Sequence, residues 1–516
     1  MINITSDSIR ESGGLLQALI YKSAEYIESI IGRHNIKGLG GKERYLRRIV
    51  THANPHLDEY VGDLLLTAAI PQPLRAVPFE EQTIFSREDD ADCKLTWPSS
   101  VVLGLGASVS GGATPLVFFD EHSEDATRSA ASCCQMAANA LFVQLPQSLR
   151  VLLHEANSID QFASAHDQHL GNIIKDFHEV RFALNRDETT GQEVSDFLTP
   201  QWKRALVHAC LTAIVYCLEN GIDLRSAPDA KAQALSGPLE LYRANNLRRG
   251  HAMFKNADER TKGLYVPSAQ DKVFKEAGLK AKVTNPDTKA KPEDRIITVT
   301  QRDSSGQDIP QLLIASRVIF ACRQCWGDNI ATLIALHIFE TEYQSQLNFK
   351  AVFQEIESMF QNRYVEVNTP IGLLEQISLP PIFIQGVRKQ RGMKIPFEGR
   401  YPLVLIGISP DPGVIKPNRA ARSFLNKTNN GLGIVLVNDT ALGTKAIFKC
   451  DNTPYPKWAK LCSALQDLEP DSWSWQQSAG QGYDYILNGT KAHRYMEPSS
   501  LTLRTLAKLL RATFYP

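Results

Sequence analysis

Between His52 and Glu59 the chain reads His-Ala-Asn-Pro-His-Leu-Asp-Glu, which places two imidazoles and two carboxylates within eight positions. A solvated turn rarely needs that many metal-competent side chains together. Two further groups carry the same chemistry: Asp120, Glu121 and His122 in succession, and Asp160. Imidazole and carboxylate donors without a thiolate favour a hard or borderline divalent ion such as Mn²⁺ or Mg²⁺. Such an ion lowers the pKa of bound water and neutralises phosphate oxygens, the chemistry of phosphoester hydrolysis. For each histidine alone, a cap or surface position is the ordinary alternative.

The elements that must position these groups can be read from periodicity. Leu46 to His52 is an apolar segment entering the polar turn, and residues 57 to 69 have helical spacing. Asn54 is a good helix cap, and Pro55 suits a first helical position because it has no N–H to lose. The glycine-bounded runs Ser100 to Ala107 and Pro115 to Phe119 are continuously apolar, the pattern of central parallel strands buried on both faces. The second run ends at Asp120. Ligands in open α/β sheets sit beyond the C-terminal strand ends, so both polar clusters are expected at one crevice. Helices are expected at 14 to 32, at 127 to 141 with small side chains, at 148 to 162 carrying Asp160, and at 205 to 218.

Farther along, residues 226 to 310 read as a helical insertion and linker, with a Lys-, Pro- and Ser-rich stretch at 280 to 309 as the domain boundary. Residues 311 to 516 read as a smaller α/β domain, with strands at 401 to 408, 433 to 437 and 446 to 449 and a closing helix at 499 to 512. Lys416, Arg419 and Arg422 concentrate charge suited to gripping phosphates. Asn429 to Gly433 precedes a strand, either as a turn that approaches phosphate or as a plain turn. Val387 to Arg391 and Arg400 add positive charge, and Phe383 and Phe397 flank them as rings that could stack bases or fill a core.

The 516 residues exceed one typical core, so two domains are expected. With 56 basic and 56 acidic side chains, formal charge is zero, which argues against a protein held to nucleic acid by bulk electrostatics but leaves room for a local basic groove. The N-terminal MINITSDSIRESGG has no basic region followed by an apolar core, so no secretory leader is expected. The near-apolar run Ala205 to Leu218 is too short for a membrane span. Nine scattered cysteines suit a reducing, cytoplasmic compartment, and Cys322 and Cys325 read as a buried or helix-surface pair before a zinc or redox pair.

The run Thr51 to Glu59, the Asp120-Glu121-His122 triplet after a strand and Ile159-Asp160 on a later helix resemble motifs one, three and four of the DHH phosphoesterase superfamily. The His-x-Asp-Glu form of the first motif resembles the Myg-type exonuclease branch most. The resemblance implies a parallel-sheet α/β domain, a smaller C-terminal substrate-binding domain, a manganese centre, and action on nucleotides or short single-stranded nucleic acid. It implies that His52, His56 and Asp58 are metal ligands, that Asp120 orients the third motif and that Glu121 stands at a ligand position. It further implies that His122 contacts the substrate phosphate, that Asp160 completes a second metal site, and that Lys416, Arg419 and Arg422 bind substrate. The aspartate of the family's second motif has no counterpart in Val102 to Ser108. Two classes therefore stand side by side: a metal-dependent phosphodiesterase, and a catalytically degenerate relative that binds a nucleotide or a protein partner as sensor or scaffold.

Overall fold

In the computed structural model, the described residues are 1–5, 7–8, 14–46, 48–52, 55–70, 84–85, 100–104, 117–119, 132–162, 169–184, 200–228, 301–302, 308–309, 312–390, 393–411, 414, 417–439, 444–470, 472–473, 485–488 and 499–515. The chain divides into two compact units, Met1–Gln344 and Ser345–Pro516. Residues 312 to 344 thus belong to the first unit, whereas nearly all of the insertion and linker expected at 226 to 310 lies outside the described residues.

The first unit opens with helix α1 (Leu15–Ile31), which Gly32 ends at φ 69°. Strand β1 (Arg48–His52) leads into α2 (Leu57–Ala69), followed by β2 (Ile84–Phe85), β3 (Ser100–Leu103) and β4 (Val117–Phe119). The four strands form one sheet in the order β2-β1-β3-β4, and every pairing is parallel. β1 and β3 are short, and their apolar residues Ile49, Val50, Val101 and Val102 are buried, as a central parallel strand requires.

Helices α3 (Cys133–Leu141), α4 (Gln147–Phe162), α5 (Leu170–Leu184) and α6 (Pro200–Glu219) follow. The described residues then resume with the short pair β5 (Gln301–Arg302) and β6 (Asp308–Ile309), and with α7 (Ala315–Trp326). α2 is buried along its whole length and packs against α1, α3, α4 and α6, while α6 also carries α7. Cys322 and Cys325 lie buried on α7, and all eight described cysteines are free thiols. Among the described residues, no helix is long and apolar enough to cross a membrane.

Helix α8 (Asp328–Gln361) runs across the division between units. The second unit contains β7 (Glu366–Thr369), β8 (Gly372–Gln390), β9 (Met393–Pro410), α9 (Pro417–Thr428), β10 (Gly433–Asp439), β11 (Thr444–Lys449), α10 (Tyr455–Leu468), β12 (Tyr485–Asn488) and α11 (Leu503–Phe514). Its sheet runs in the order β12-β11-β10-β9-β8-β7 and is antiparallel except where β10 pairs with β9. One core, around Trp458 and Trp473, joins the sheet to α10 and α11. A second, around Phe424 and Ile356, joins it to α9 and the end of α8. The chain is therefore of the expected mixed α and β class, with a parallel sheet in the first unit and a mixed sheet in the second.

Candidate metal centre

Because β1, β3 and β4 are parallel, His52, Leu103 and Phe119 end at the same edge of the sheet. The backbone ties two of these ends together, since Gly104 N–H donates to the Phe119 carbonyl at 2.8 Å. α2 starts from this edge. Its N-cap is His56 rather than Asn54, because the Glu59 carboxylate reaches back to accept the His56 backbone N–H at 2.7 Å. That contact satisfies one of the helix's orphan donors and puts a carboxylate where the helix dipole favours negative charge.

The same turn gathers three potential ligands. One donor atom each from His56, Asp58 and Glu59 lies within 4.8 Å of the other two. His56 is exposed, while Asp58 is 3% and Glu59 1% exposed, so two carboxylates are shut in the interior beneath an accessible imidazole. Asp58 Oδ2 accepts a hydrogen bond from the Cys133 thiol at 3.0 Å. Its Oδ1 is buried and has no hydrogen-bond partner among the described residues. An unpaired buried carboxylate oxygen costs free energy unless something compensates it.

Electrostatics point the same way. Burial pushes the Asp58 carboxyl well above the usual carboxylate range, and the charges of Asp160 and Glu59 add to that. The Cys133 thiol and the Glu59 backbone N–H oppose it. Asp160 is exposed near the end of α4, and its effect on Asp58 shows that a carboxylate 102 positions later in the sequence acts on the same spot. Like charges held together in a low-dielectric site make a cation favourable there.

Two residues that the sequence did not single out as site residues pack against this group. Gly104 has φ +59°, and a Cβ built on it would lie 3.3 Å from Glu59 Cγ and 3.5 Å from Cys133 Sγ. Position 104 therefore fits a glycine for both backbone and space. Cys133 begins α3, and the preceding Ser132 N–H donates to Asn157 Oδ1 at 3.0 Å, which anchors the start of that helix to α4. In sequence Gly104 falls inside the run Ser100 to Ala107 read as one strand, and only the end of β3 at Leu103 sets it apart. A cysteine in a helix of small residues looks like packing material.

Of the expected site residues, His56 and Asp58 come together, and Asp160 acts on Asp58 electrostatically. His52 closes β1 at the same sheet edge, but its side chain is outside the described residues, as are Asp120, Glu121 and His122. In the second unit Lys416 is also outside them. Arg419 and Arg422 stand one turn apart on α9, the first exposed and the second half-buried with its Nε unpartnered among the described residues. Asn429 to Gly433 is a plain turn. Its Gly431, Leu432 and Gly433 N–H groups already donate to Leu425 O, Asn429 O and Thr453 Oγ1 at 3.1, 3.0 and 3.1 Å, so they form no phosphate cradle.

The donor set fits a hard or borderline divalent ion: two buried carboxylates, one imidazole and an orphaned oxygen aimed at no described partner. No family model, no curated protein and no solved structure matches this chain.

Proposed function

We propose that the first unit is a divalent-cation-dependent phosphoesterase acting on nucleotides or short single-stranded nucleic acid. The observation that carries this reading is the buried, unpartnered Asp58 Oδ1 beside His56 and Glu59 at the C-terminal edge of a parallel sheet. Ligand sites of open α/β sheets occupy that edge. In this reading His56, Asp58 and Glu59 hold the ion, Mn²⁺ or Mg²⁺, with His52 at the strand end and Asp160 contributing charge. An ion held there would supply a Lewis-acid centre and lower the pKa of a water enough for hydroxide, the nucleophile, to form near neutral pH. Cys133 fixes the Asp58 carboxylate so that Oδ1 faces the site. Asp120 and His122, which follow β4 in the chain, orient and contact the substrate phosphate by the resemblance, and Glu121 supplies a further ligand. Lys416, Arg419 and Arg422 are proposed as phosphate contacts.

The test is hydrolysis of labelled dinucleotides and short oligonucleotides by purified protein with Mn²⁺ and with EDTA. Asp58→Asn keeps the side chain's size but removes its charge. Release of mononucleotides with Mn²⁺, lost with EDTA and with the variant, is the expected result. Equal turnover by Asp58→Asn removes the assignment.

A second reading has its own support. Gly104 stands just after β3, where the superfamily that the motifs resemble places an aspartate, and its φ of +59° and the 3.3 Å approach a Cβ would make to Glu59 Cγ suit a glycine there rather than a carboxylate. A protein that binds Mn²⁺ through Asp58 but turns over no phosphodiester would be a nucleotide- or partner-binding relative without catalysis.

A further inference from the structure

The hairpin of β8 and β9 outgrows its sheet. β7 pairs with β8 from Gly372 to Glu375, and β10 pairs with β9 from Val404 to Ile408. Beyond a register shift between Ser378 and Pro381, the two strands continue from Pro381↔Pro402 to Gln390↔Met393 with no further strand beside them among the described residues. At about 3.3 Å per residue, this two-stranded ribbon is about 30 Å long.

Its two faces differ. Directly paired residues of an antiparallel ribbon project to one side. Ile382 and Tyr401, and Gly386 and Phe397, are such pairs, and these apolar side chains pack on the Trp458 core together with buried Ile384. The opposite face pairs Phe383 with Arg400, Gln385 with Glu398 and Val387 with Pro396. There Phe383 is 61% and Val387 49% exposed, and Arg400 is exposed beside the ring.

The ribbon's sequence is also unbalanced in the sign of its charge. Residues 381 to 402 contain five basic side chains and one acidic, in a chain whose net charge is zero. The acid, Glu398, accepts a hydrogen bond from Gln385 at 3.0 Å. Lysine and arginine do guard exposed sheet edges against pairing, but prolines 381, 396 and 402 already serve that purpose here. Edge protection also gives no reason to hold a phenylalanine ring in water on the face turned away from the core.

We infer that this ribbon face binds single-stranded nucleic acid, with a base stacked on Phe383 and a backbone phosphate met by Arg400. An exposed ring within a basic strip is the combination that single-strand binders use, and a duplex offers no unstacked base to the ring. An acidic peptide would satisfy the charge and leave the ring without a planar partner. The inference does not depend on the metal reading of the first unit.

The experiment is fluorescence anisotropy of the full chain with a labelled oligothymidylate of roughly fifteen nucleotides, in EDTA so that the metal centre plays no part, across a salt series. Phe383→Ala should weaken binding about five-fold or more with the salt slope unchanged. Arg400→Ala should lower the salt slope by about one. Both positions are exposed, and a thermal melt of each variant checks that it is folded. Affinity unchanged in both folded variants overturns the inference, as does equal competition by duplex DNA or by polyglutamate of matched charge. Because no cation is present, failure here leaves the hydrolase reading standing, and loss of hydrolysis leaves this one standing.

Discussion

The Cys133 thiol donates to Asp58 Oδ2 at 3.0 Å across 75 positions of sequence, and it leaves Oδ1 as the carboxylate oxygen with no described partner. A side chain that orients a metal ligand commonly contributes ten- to a hundred-fold in affinity. Cys133→Ala should therefore weaken Mn²⁺ binding by about ten-fold or more, and Cys133→Ser, which keeps a donor, should restore most of it. Calorimetric titration of the three proteins decides. Identical affinities would show that Asp58 needs no thiol to aim it.

Gly104 makes a sharper geometric demand. At φ +59° an alanine costs about 1–2 kcal/mol in backbone energy alone. Its Cβ would also press on Glu59 Cγ at 3.3 Å, the carboxylate that both caps α2 and lies in the ligand group. Gly104→Ala should lower stability by at least that amount and reduce Mn²⁺ affinity together. Gly104→Asn, which tolerates the left-handed region better, should lose less through the backbone but still disturb Glu59. Urea melts with and without Mn²⁺ separate the two effects. A Gly104→Ala protein as stable and as metal-avid as the parent contradicts the argument.

How legible all this was depended on the kind of residue. β1, β3 and β4 announced themselves as apolar runs bounded by polar or glycine residues, and the polar groups after them could be assigned to one edge because parallel strands all end there. The span of α2, 57 to 69, is the one its spacing gives, but its cap is two residues later than Asn54: Asn54-Pro55 is a better cap by composition than His56, and only the Glu59 contact shows which one the fold uses. β8 was not foreseen at all. Pro380, Pro381 and Gly386 argue against a central strand, but the prolines fall at a register shift and Gly386 is covered by the cross-strand Phe397 ring. Cys133 was invisible for a different reason: its role depends on a partner 75 positions away, and its own neighbours carry no trace of it.

Farther along α2, Asp63 anchors a buried charge network. Arg204 donates to both of its oxygens, Nε at 2.5 Å and Nη2 at 2.7 Å, and all three residues of the Asp63, Arg204 and His208 set are buried. Asp63→Ala strands the guanidinium in the interior and should cost about 3–5 kcal/mol. Replacing Asp63 and Arg204 together by leucine and methionine should recover most of that loss, because the penalty belongs to the unpaired charge. A single variant that unfolds at the parent's urea concentration would show that water reaches Arg204.

The same network sets a pH dependence. His208 Nε2 lies 2.8 Å from Asp63 Oδ2, and burial holds the imidazole below its ordinary pKa, with Asp63 opposing that shift and Arg204 adding to it. The folded chain therefore binds this proton less readily than the unfolded chain. Its stabilisation is complete above the unfolded pKa of about 6.5 and is lost as pH falls toward the lower folded value. For Asp63, burial opposes ionisation but Arg204 and His208 outweigh it, so its carboxyl also titrates below the ordinary value. The sign is the same, in a more acidic window. Between pH 7 and 5 the melting temperature should fall in the parent and fall less in His208→Gln, which keeps a donor but does not titrate. Parallel curves would mean that His208 contributes nothing to the acid lability.

Glu155 ties the middle of α4 to the segment before α7, five residues before Asp160. It is buried and accepts three contacts: from Leu312 N–H at 2.5 Å, from Leu313 N–H at 3.0 Å, and from His169 Nε2 at 3.3 Å. The histidine's tautomer follows from its other nitrogen, since Nδ1 accepts the Gly171 N–H at 3.1 Å, which leaves the proton on Nε2. A neutral amide cannot reproduce this arrangement, because its –NH₂ would face one of the donors. Glu155→Gln should therefore cost about 1–3 kcal/mol and Glu155→Ala more, through buried N–H groups left without acceptors. The loss should be local first, so amide exchange at Leu312 and Leu313 should speed up in Glu155→Gln before the global melt shifts. Unchanged protection of those two amides would mean that the bridge between His169 and Ile314, rather than the carboxylate, fastens this segment to the helix bearing Asp160.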